Sequence, residues 1–365
     1  MPVLSETLPP LRLGIAGCLA GRARYGAALA AGAGARLTPP LSVVGLTDTD
    51  LHSARIWARE IGGAVPPFAT LDALLAAVSD LDALLIVSPL PDRPAHVTAA
   101  ARAHKAILCE VPFAPTLAET EALLRLAADS GILLMPVLPH RFDAGFLAAA
   151  ARVEAGELGE IRQLRCVWSF PVNGVFALEA GVDAPEAAWS RLLPAVACQA
   201  ADVCRWWLGE AASISADGFP AEAGEPEPAR EGPANLILTQ ARGRSTLHFS
   251  RSRAQQPEER YTLSGAKGQL DLTAQAGVAS APAPLLVRQR PGRRPERLLA
   301  AELSPTPRLA HVARMRAQIE HFAACAQAGE PPRLTGADAR AAQEILSAAA
   351  LSTQEGSKVS LPIKY

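Results

Sequence analysis

The sequence predicts an α/β protein, with a parallel sheet in its first half and a mostly antiparallel sheet in its second. Three observations carry this. Up to residue 137, short apolar runs alternate with helix-length stretches, the pattern of a parallel sheet covered on both faces. The fourth run, Ala106–Ala114 (AILCEVPFA), is too short for a helix and closes on an acid, a valine and a proline. Beyond residue 160, alternating segments are joined by short glycine-bearing turns, as in a meander with one covered face.

Composition sets the outer bounds. The chain has 365 residues, enough for two domains with real cores, and its 49% hydrophobic and 19% charged content is ordinary for a globular protein. A net charge of −1 gives no electrostatic reason to expect nucleic acid or an anionic membrane as partner. Six scattered cysteines, without a C-x-x-C pair or ordered histidine spacing, predict buried thiols, a reduced compartment and no metal site. Met1–Pro10 lacks a basic region followed by an apolar one, and no apolar run reaches membrane-span length, so a cytoplasmic location is expected.

In chain order, Leu11–Gly17 reads as a strand ending at a glycine turn, followed by a helix over Ala20–Ala31. Counted from Gly17, a G-x-G-x-x-G fingerprint meets Leu19 and Arg22 where glycines belong, with Gly21 one place early. A strand–turn–helix with no ligand fits this motif as well as a phosphate cradle does. Ser42–Asp48 is a second strand ending in an acid placed to accept from a ribose, and Asp50 caps the next helix. Thr70 caps a short helix, and Ala83–Ser88 is the third strand, running into Pro89 and a helix that carries His96. That histidine suits local hydrogen bonding at a helix start as well as a cofactor contact. After the fourth strand, Thr116-x-x-Glu119 forms a capping box for a helix over Leu117–Asp129, and Ile132–Val137 is the fifth strand.

In the second half, Asp143 caps a helix to Glu154, and Ile161–Phe170 alternates as a strand. Pro185–Leu208 is helical and stops at Gly209. Strands follow at Leu236–Gln240, Ser245–Ser250, Tyr261–Ser264 and Gln269–Leu272. Asp217–Gly232 reads as an exposed loop and Ala274–Pro307 as irregular, while Leu309–Ala328 and Ala337–Thr353 are closing helices.

Four stretches carry a resemblance: LRLGIAG with Asp48 after it, ILCEVPFAPTLAE, the run HRF…AGELGEI, and the tail from His321 to Pro362. Together the chain resembles the glucose–fructose oxidoreductase / inositol dehydrogenase (Gfo/Idh/MocA) family over nearly its whole length. The resemblance implies a Rossmann domain over residues 1–137 and an α/β domain over 138–365 with an open, mostly antiparallel sheet. The C-terminal helices are able to pack back on the first domain, and homo-oligomers form through the open sheet. It further implies NAD or NADP as cofactor and hydride transfer with a sugar, polyol or related carbonyl compound. By the same resemblance the cofactor lies across Gly17, Cys18, Leu19 and Ala20, with its ribose near Asp48 and its nicotinamide beside Glu110 and Val111. Ser88, Pro89 and His96 line its path. His140, Arg141 and Arg191 fall in segments that the family places around the substrate.

Departures from the family's pattern bear on chemistry. Where the family shows Glu-Lys-Pro, this chain has Glu110-Val111-Pro112, and the family's Asp and His on the following long helix become Ala195 and Gln199. Valine and alanine hold no titratable proton, and a glutamine amide is no base near neutral pH. His140 is then the remaining candidate acid and Gln199 a candidate for orienting a polar ligand, with Arg141 and Arg191 able to hold an anionic group. Two further readings stay open: a non-redox binding, regulatory or subunit protein on the same fold, and a lyase reusing the cleft.

Overall fold

A computed structural model describes residues 9–30, 37–62, 65–171, 185–220, 233–252, 258–274, 285–298 and 307–364. The chain divides into two compact units. The first comprises Met1–Glu110, Ala122–Val137 and Met315–Gly336, and the second Val111–Glu121, Leu138–Arg314 and Ala337–Tyr365.

The first unit is built on a six-stranded parallel sheet. Its strands are β1 (Leu11–Ala16), β2 (Leu41–Thr47), β3 (Pro67–Phe68), β4 (Ala83–Ile86), β5 (Ala106–Glu110) and β6 (Leu134–Val137), in the spatial order β3-β2-β1-β4-β5-β6. The order reverses between β1 and β4, the switch point at which doubly wound sheets take ligands. Helices α1 (Cys18–Leu29), α2 (Leu51–Ile61), α3 (Leu71–Ala77), α4 (Arg93–Arg102) and α5 (Leu117–Asp129) connect the strands. The central strands β4 and β5 are almost wholly buried, which is why their sequences read as continuous apolar runs. Asp50 caps α2 by accepting from the His52 and Ser53 amides, and Thr70 caps α3. The Thr116–Glu119 capping box is present in both directions, at 3.1 and 3.2 Å.

Among its described residues the second unit carries nine strands: β7 (Ile161–Pro171), β8 (Ala211–Asp217), β9 (Ala234–Gln240), β10 (Gly243–Ser252), β11 (Glu258–Gly265), β12 (Gly268–Ala274), β13 (Leu285–Gln289), β14 (Glu296–Leu298) and β15 (Val359–Ser360). They form one mixed sheet, β14-β13-β12-β11-β7-β10-β9-β8-β15, in which only the β7–β10 pair is parallel. Helices α6 (Ala144–Glu154) and α7 (Pro185–Leu208) pack on it. Inward residues Leu164, Cys166, Trp168, Leu247, Phe249, Tyr261 and Leu263 are buried, whereas Ile237 on β9 keeps 46% of its surface. Two more helices follow, α8 (Pro307–Ala328) and α9 (Gly336–Glu355). Residues from Met315 onward in α8 belong to the first unit, where Gln318 donates to the Pro136 carbonyl at 2.9 Å.

Several expectations need correction. Helix α1 begins at Cys18, not Ala20, because Gly17 turns the chain within one residue at φ 98°. The third and fifth strands are shorter than expected, ending at Ile86 and starting at Leu134. The segment read as irregular contains the hairpin β13–β14, stapled by Arg288 on Glu296 and Glu157. Its proline and arginine content hid the five-residue strand Leu285–Gln289, of which only the first three residues are apolar. Strands β3, β8 and β15 are further additions. Most of the expected loop at 217–232 lies outside the described residues.

Candidate functional site

The end of β1 is a close-packed turn. A Cβ on Gly17 would stand 2.4 Å from the Ser88 backbone nitrogen, and φ 98° is itself a glycine conformation, so no side chain fits there. Four residues on, a Cβ at Gly21 would meet Val87 at 2.5 Å and Trp57 at 2.8 Å. Gly21 thus does the helix-to-sheet packing that the fingerprint assigns to its third glycine, one place early in the count. The side chains of Leu19 and Ala20 lie outside the described residues.

Around this turn the strand ends present two acids. Asp48, just past β2, accepts from the Cys18 amide at 2.5 Å and from the Asp50 amide at 2.9 Å. The Asp48 carboxylate therefore meets the positive N-terminus of α1. The Cys18 thiol is buried, and burial beside Asp48 pushes its pKa far up, so it is inert.

Glu110, the last residue of β5, is 1% exposed. Its Oε1 accepts from the Tyr25 hydroxyl at 2.7 Å and faces Arg24 Nη1 at 3.0 Å, while no hydrogen-bond partner for its buried Oε2 is found among the described residues. Burial raises the Glu110 pKa, but the charges of Arg24 and Arg93 with the Tyr25 and Arg24 hydrogen bonds outweigh it, and the net shift is downward. Glu110 is accordingly a fixed anionic acceptor. Val111 beside it is fully buried.

At the end of β4, Ser88 is buried, its hydroxyl 2.9 Å from His96 Nδ1 and its carbonyl accepting from Arg93 Nε at 2.9 Å. Burial lowers the His96 pKa, which keeps the ring neutral at pH 7. Pro89 is exposed at the start of the short 3₁₀ turn Leu90–Asp92. Gly17, Asp48, Ser88 and Glu110 thus stand at the ends of β1, β2, β4 and β5, the ligand edge of such a sheet. A separate cavity of about 740 Å³ opens at the opposite edge, lined by Leu11, Asp82, Ala106 and Leu133.

The second unit holds the other candidates. His140 is 2% exposed, its Nε2 2.5 Å from Glu259 Oε1, and its ring is edged by Phe146, Trp168 and Tyr261. Its partner is thus a buried carboxylate on β11. Arg141 forks onto Asp202 through Nε at 2.7 Å and Nη2 at 2.8 Å and stacks 4.6 Å above the Trp206 ring. Asp202 is buried, and Arg205 reaches it from the next helical turn at 3.7 Å. This role of Asp202 shows only in the folded chain, since a partner 61 residues away leaves no local signal in the sequence.

Ala195 is buried on α7. From Leu193 to Cys204 only Gln199 is not buried, and no hydrogen bond from its carboxamide is found among the described residues. A polar side chain left open within a buried run is available to a ligand. The Arg191 side chain lies outside the described residues. No group of three or more potential metal ligands occurs among the described residues, and none of their helices is long and apolar enough to cross a membrane.

A parallel sheet with a glycine turn and strand-end acids at its switch point is the arrangement of a dinucleotide-binding domain. Residues 11–137 match the family model described as an oxidoreductase family with an NAD-binding Rossmann fold, and residues 146–271 match the GFO/IDH/MocA C-terminal domain. The chain belongs to the Gfo/Idh/MocA family. It is 32% identical over 133 residues to an inositol 2-dehydrogenase of Pseudomonas syringae, covering 36% of this chain and 39% of that one. It is also 32% identical over 168 residues to a dTDP-3,4-didehydro-2,6-dideoxy-alpha-D-glucose 3-reductase of Streptomyces violaceoruber, covering 46% of each. The aligned stretches thus span less than half the length of these relatives. Among solved structures, an Agrobacterium radiobacter oxidoreductase in complex with NAD+, L-tartaric acid and magnesium superposes with a TM-score of 0.75 at 19% identity, covering 96% of this chain and 98% of that one. The 3-ketoreductase KijD10 of Actinomadura kijaniata, in complex with NADP and TDP-benzene, gives 0.74 at 20% identity, covering 94% and 98%. These structures share the fold.

Proposed function

We propose that the protein is an NAD(P)-dependent oxidoreductase acting on a sugar, polyol or related carbonyl compound, with the family's usual proton relay replaced. The carrying observation is the ligand edge of the first unit. There a cradle that admits no Cβ at Gly17 is flanked by Asp48 and by Glu110, whose buried Oε2 has an acceptor to offer. These residues fit a dinucleotide. Backbone at Gly17 and Cys18 would approach its phosphates, Asp48 its ribose, and Glu110 and Val111 its nicotinamide half, with Ser88, Pro89 and His96 along the way. The bound cofactor supplies the hydride acceptor or donor.

The chain's own part is binding and orientation. Val111 offers an apolar wall, Gln199 a carboxamide that donates and accepts, and neither moves a proton. Burial of His140 against Glu259 supports a positioning role for that histidine, and pairing with Asp202 supports the same for Arg141. Titration with NADH and NADPH, followed by coenzyme fluorescence, tests the reading. Saturable binding below millimolar concentration is expected. Absence of binding would favour a non-redox binding, regulatory or subunit protein, a reading favoured by the loss of titratable groups at positions 111, 195 and 199.

On the same proposal the protein works in the cytoplasm as a homo-oligomer. The support is the nine-stranded sheet, whose β9 leaves Ile237 exposed. Light scattering that returns the mass of one chain would refute the oligomer.

A further inference from the structure

We infer that Arg24 and Tyr25 are positioning residues that act through Glu110. Between them they take one oxygen of its carboxylate, and so hold the other as an acceptor for a donor on the bound dinucleotide. The inference rests on the dinucleotide reading above and concerns only how Glu110 is held.

Arg24 and Tyr25 are consecutive in α1, about 100° apart around the helix. Both nevertheless end on Oε1 of Glu110, the Tyr25 hydroxyl at 2.7 Å and Arg24 Nη1 at 3.0 Å. Tyr25 is buried, whereas the Arg24 side chain keeps 22% of its surface. With two donors on Oε1, the carboxylate cannot turn without giving up both, and the place of Oε2 is set. Oε2 is itself buried and has no hydrogen-bond partner among the described residues. A buried acceptor without a donor is costly, and an N–H or O–H of a bound coenzyme would relieve it.

The charge on Glu110 depends on the same neighbours. The titratable groups around it are Arg24 and Tyr25 on α1, Arg93 at the start of α4 and Cys109 on β5. Burial keeps the Tyr25 phenol and the Cys109 thiol protonated, the thiol pushed up to about 12. Strands β4 and β6 place only apolar residues alongside, Ile86 in register with Cys109 and Val137 with Glu110. Burial also works against the Glu110 carboxylate, and Arg24 foremost, then Arg93 and the Tyr25 hydrogen bond, outweigh it. Removing Arg24 therefore brings the protonation of Glu110 up toward neutral pH.

The test is calorimetric titration of the whole protein with NAD+, which tolerates acid. Dissociation constants are read at about pH 5.5 and about pH 8, both above the ordinary carboxylate value, as the ratio of variant to natural protein. Arg24→Gln should lose about fivefold at the lower pH and little at the higher, as a charge-assisted hydrogen bond becomes a neutral one. Arg24→Lys, which restores the charge, should abolish that difference. Tyr25→Phe should show a smaller loss of the same kind, and decides the matter alone if Arg24→Gln does not fold. The double variant Arg24→Gln/Glu110→Gln has no carboxyl left to titrate and should give one ratio at both pH values. Arg22→Gln is the control, since that guanidinium is forked onto Glu60 at 2.7 and 2.5 Å, and its ratio should stay within about twofold of one. An Arg24→Gln loss that is equal at both pH values, or no loss at either, marks a merely structural role and overturns the inference. An acid-side loss that persists in the double variant belongs to another group and overturns it as well. Natural protein that binds no NAD+ at either pH defeats the dinucleotide reading, and this inference with it.

Discussion

The Asp202 carboxylate receives both Nε and Nη2 of Arg141, tying the 3₁₀ turn Pro139–Phe142 to helix α7. Both groups are substantially out of water, and Arg205 completes the charge set. Removing Asp202 takes from Arg141 the buried carboxylate that accepts two of its hydrogen bonds, whereas Arg205 keeps Glu210 at 2.6 Å. Asp202→Ala should therefore cost on the order of 3–5 kcal/mol, read as a lower urea midpoint. Asp202→Asn, which keeps one acceptor, should cost less.

His140 and Glu259 give a sharper version of the same test. Each is buried and paired with the other, and among the described residues no hydrogen-bond partner is found for His140 Nδ1 or Glu259 Oε2. Glu259→Gln or His140→Phe alone should destabilise by several kcal/mol. The double variant should recover part of the loss, a coupling of about 1–3 kcal/mol in a double-mutant cycle. Strict additivity would contradict the pairing.

Gly17→Ala should be among the most damaging single changes. It asks for a Cβ 2.4 Å from the Ser88 nitrogen at a φ of 98°. The expected result is loss of soluble folded protein or of NADH binding. Near-normal binding would mean that the turn relaxes, and with it the packing of β1 on β4.

The pH dependence of stability follows from Glu110. Its folded pKa lies below the ordinary carboxylate value, so the unfolded chain takes up its proton first as the pH falls. The stabilisation is complete above the unfolded value, about 4.3, and is lost as the pH drops through the depressed folded value. The gap in urea midpoint between natural protein and Glu110→Gln should be widest near neutrality and close on acidification. Tyr25→Phe, which removes one donor, should shift that closure toward higher pH.

Much of this architecture is legible in the residues themselves. The apolar runs of β1, β2, β4 and β5, the Asp50 and Asp143 caps, and the Thr116–Glu119 box follow from local patterns, and the structure places them within a residue or two, except that β5 ends at Glu110, four residues before the run does. Non-local facts do not show themselves that way. The β13–β14 hairpin is hidden because Arg288, a strand residue, finds its acids on Glu157 and Glu296. The packing role of Gly21 depends on Trp57, 36 positions along, and no count of glycines reveals it. At the candidate site, residue identities at 111, 195 and 199 were readable, whereas the partners of His140 and Arg141 required the folded chain.

The central claim is that this chain keeps the coenzyme edge while its proton-handling positions carry Val111, Ala195 and Gln199. The most direct measurement compares coenzyme-dependent turnover of polyols by the natural protein with that of Val111→Lys/Ala195→Asp/Gln199→His. General acid–base catalysis is worth about 10²–10⁴-fold, so the natural protein should bind NADH yet turn over slowly, with the triple variant faster by up to that range. Brisk turnover by the natural protein, matched or exceeded by no variant, would contradict the account.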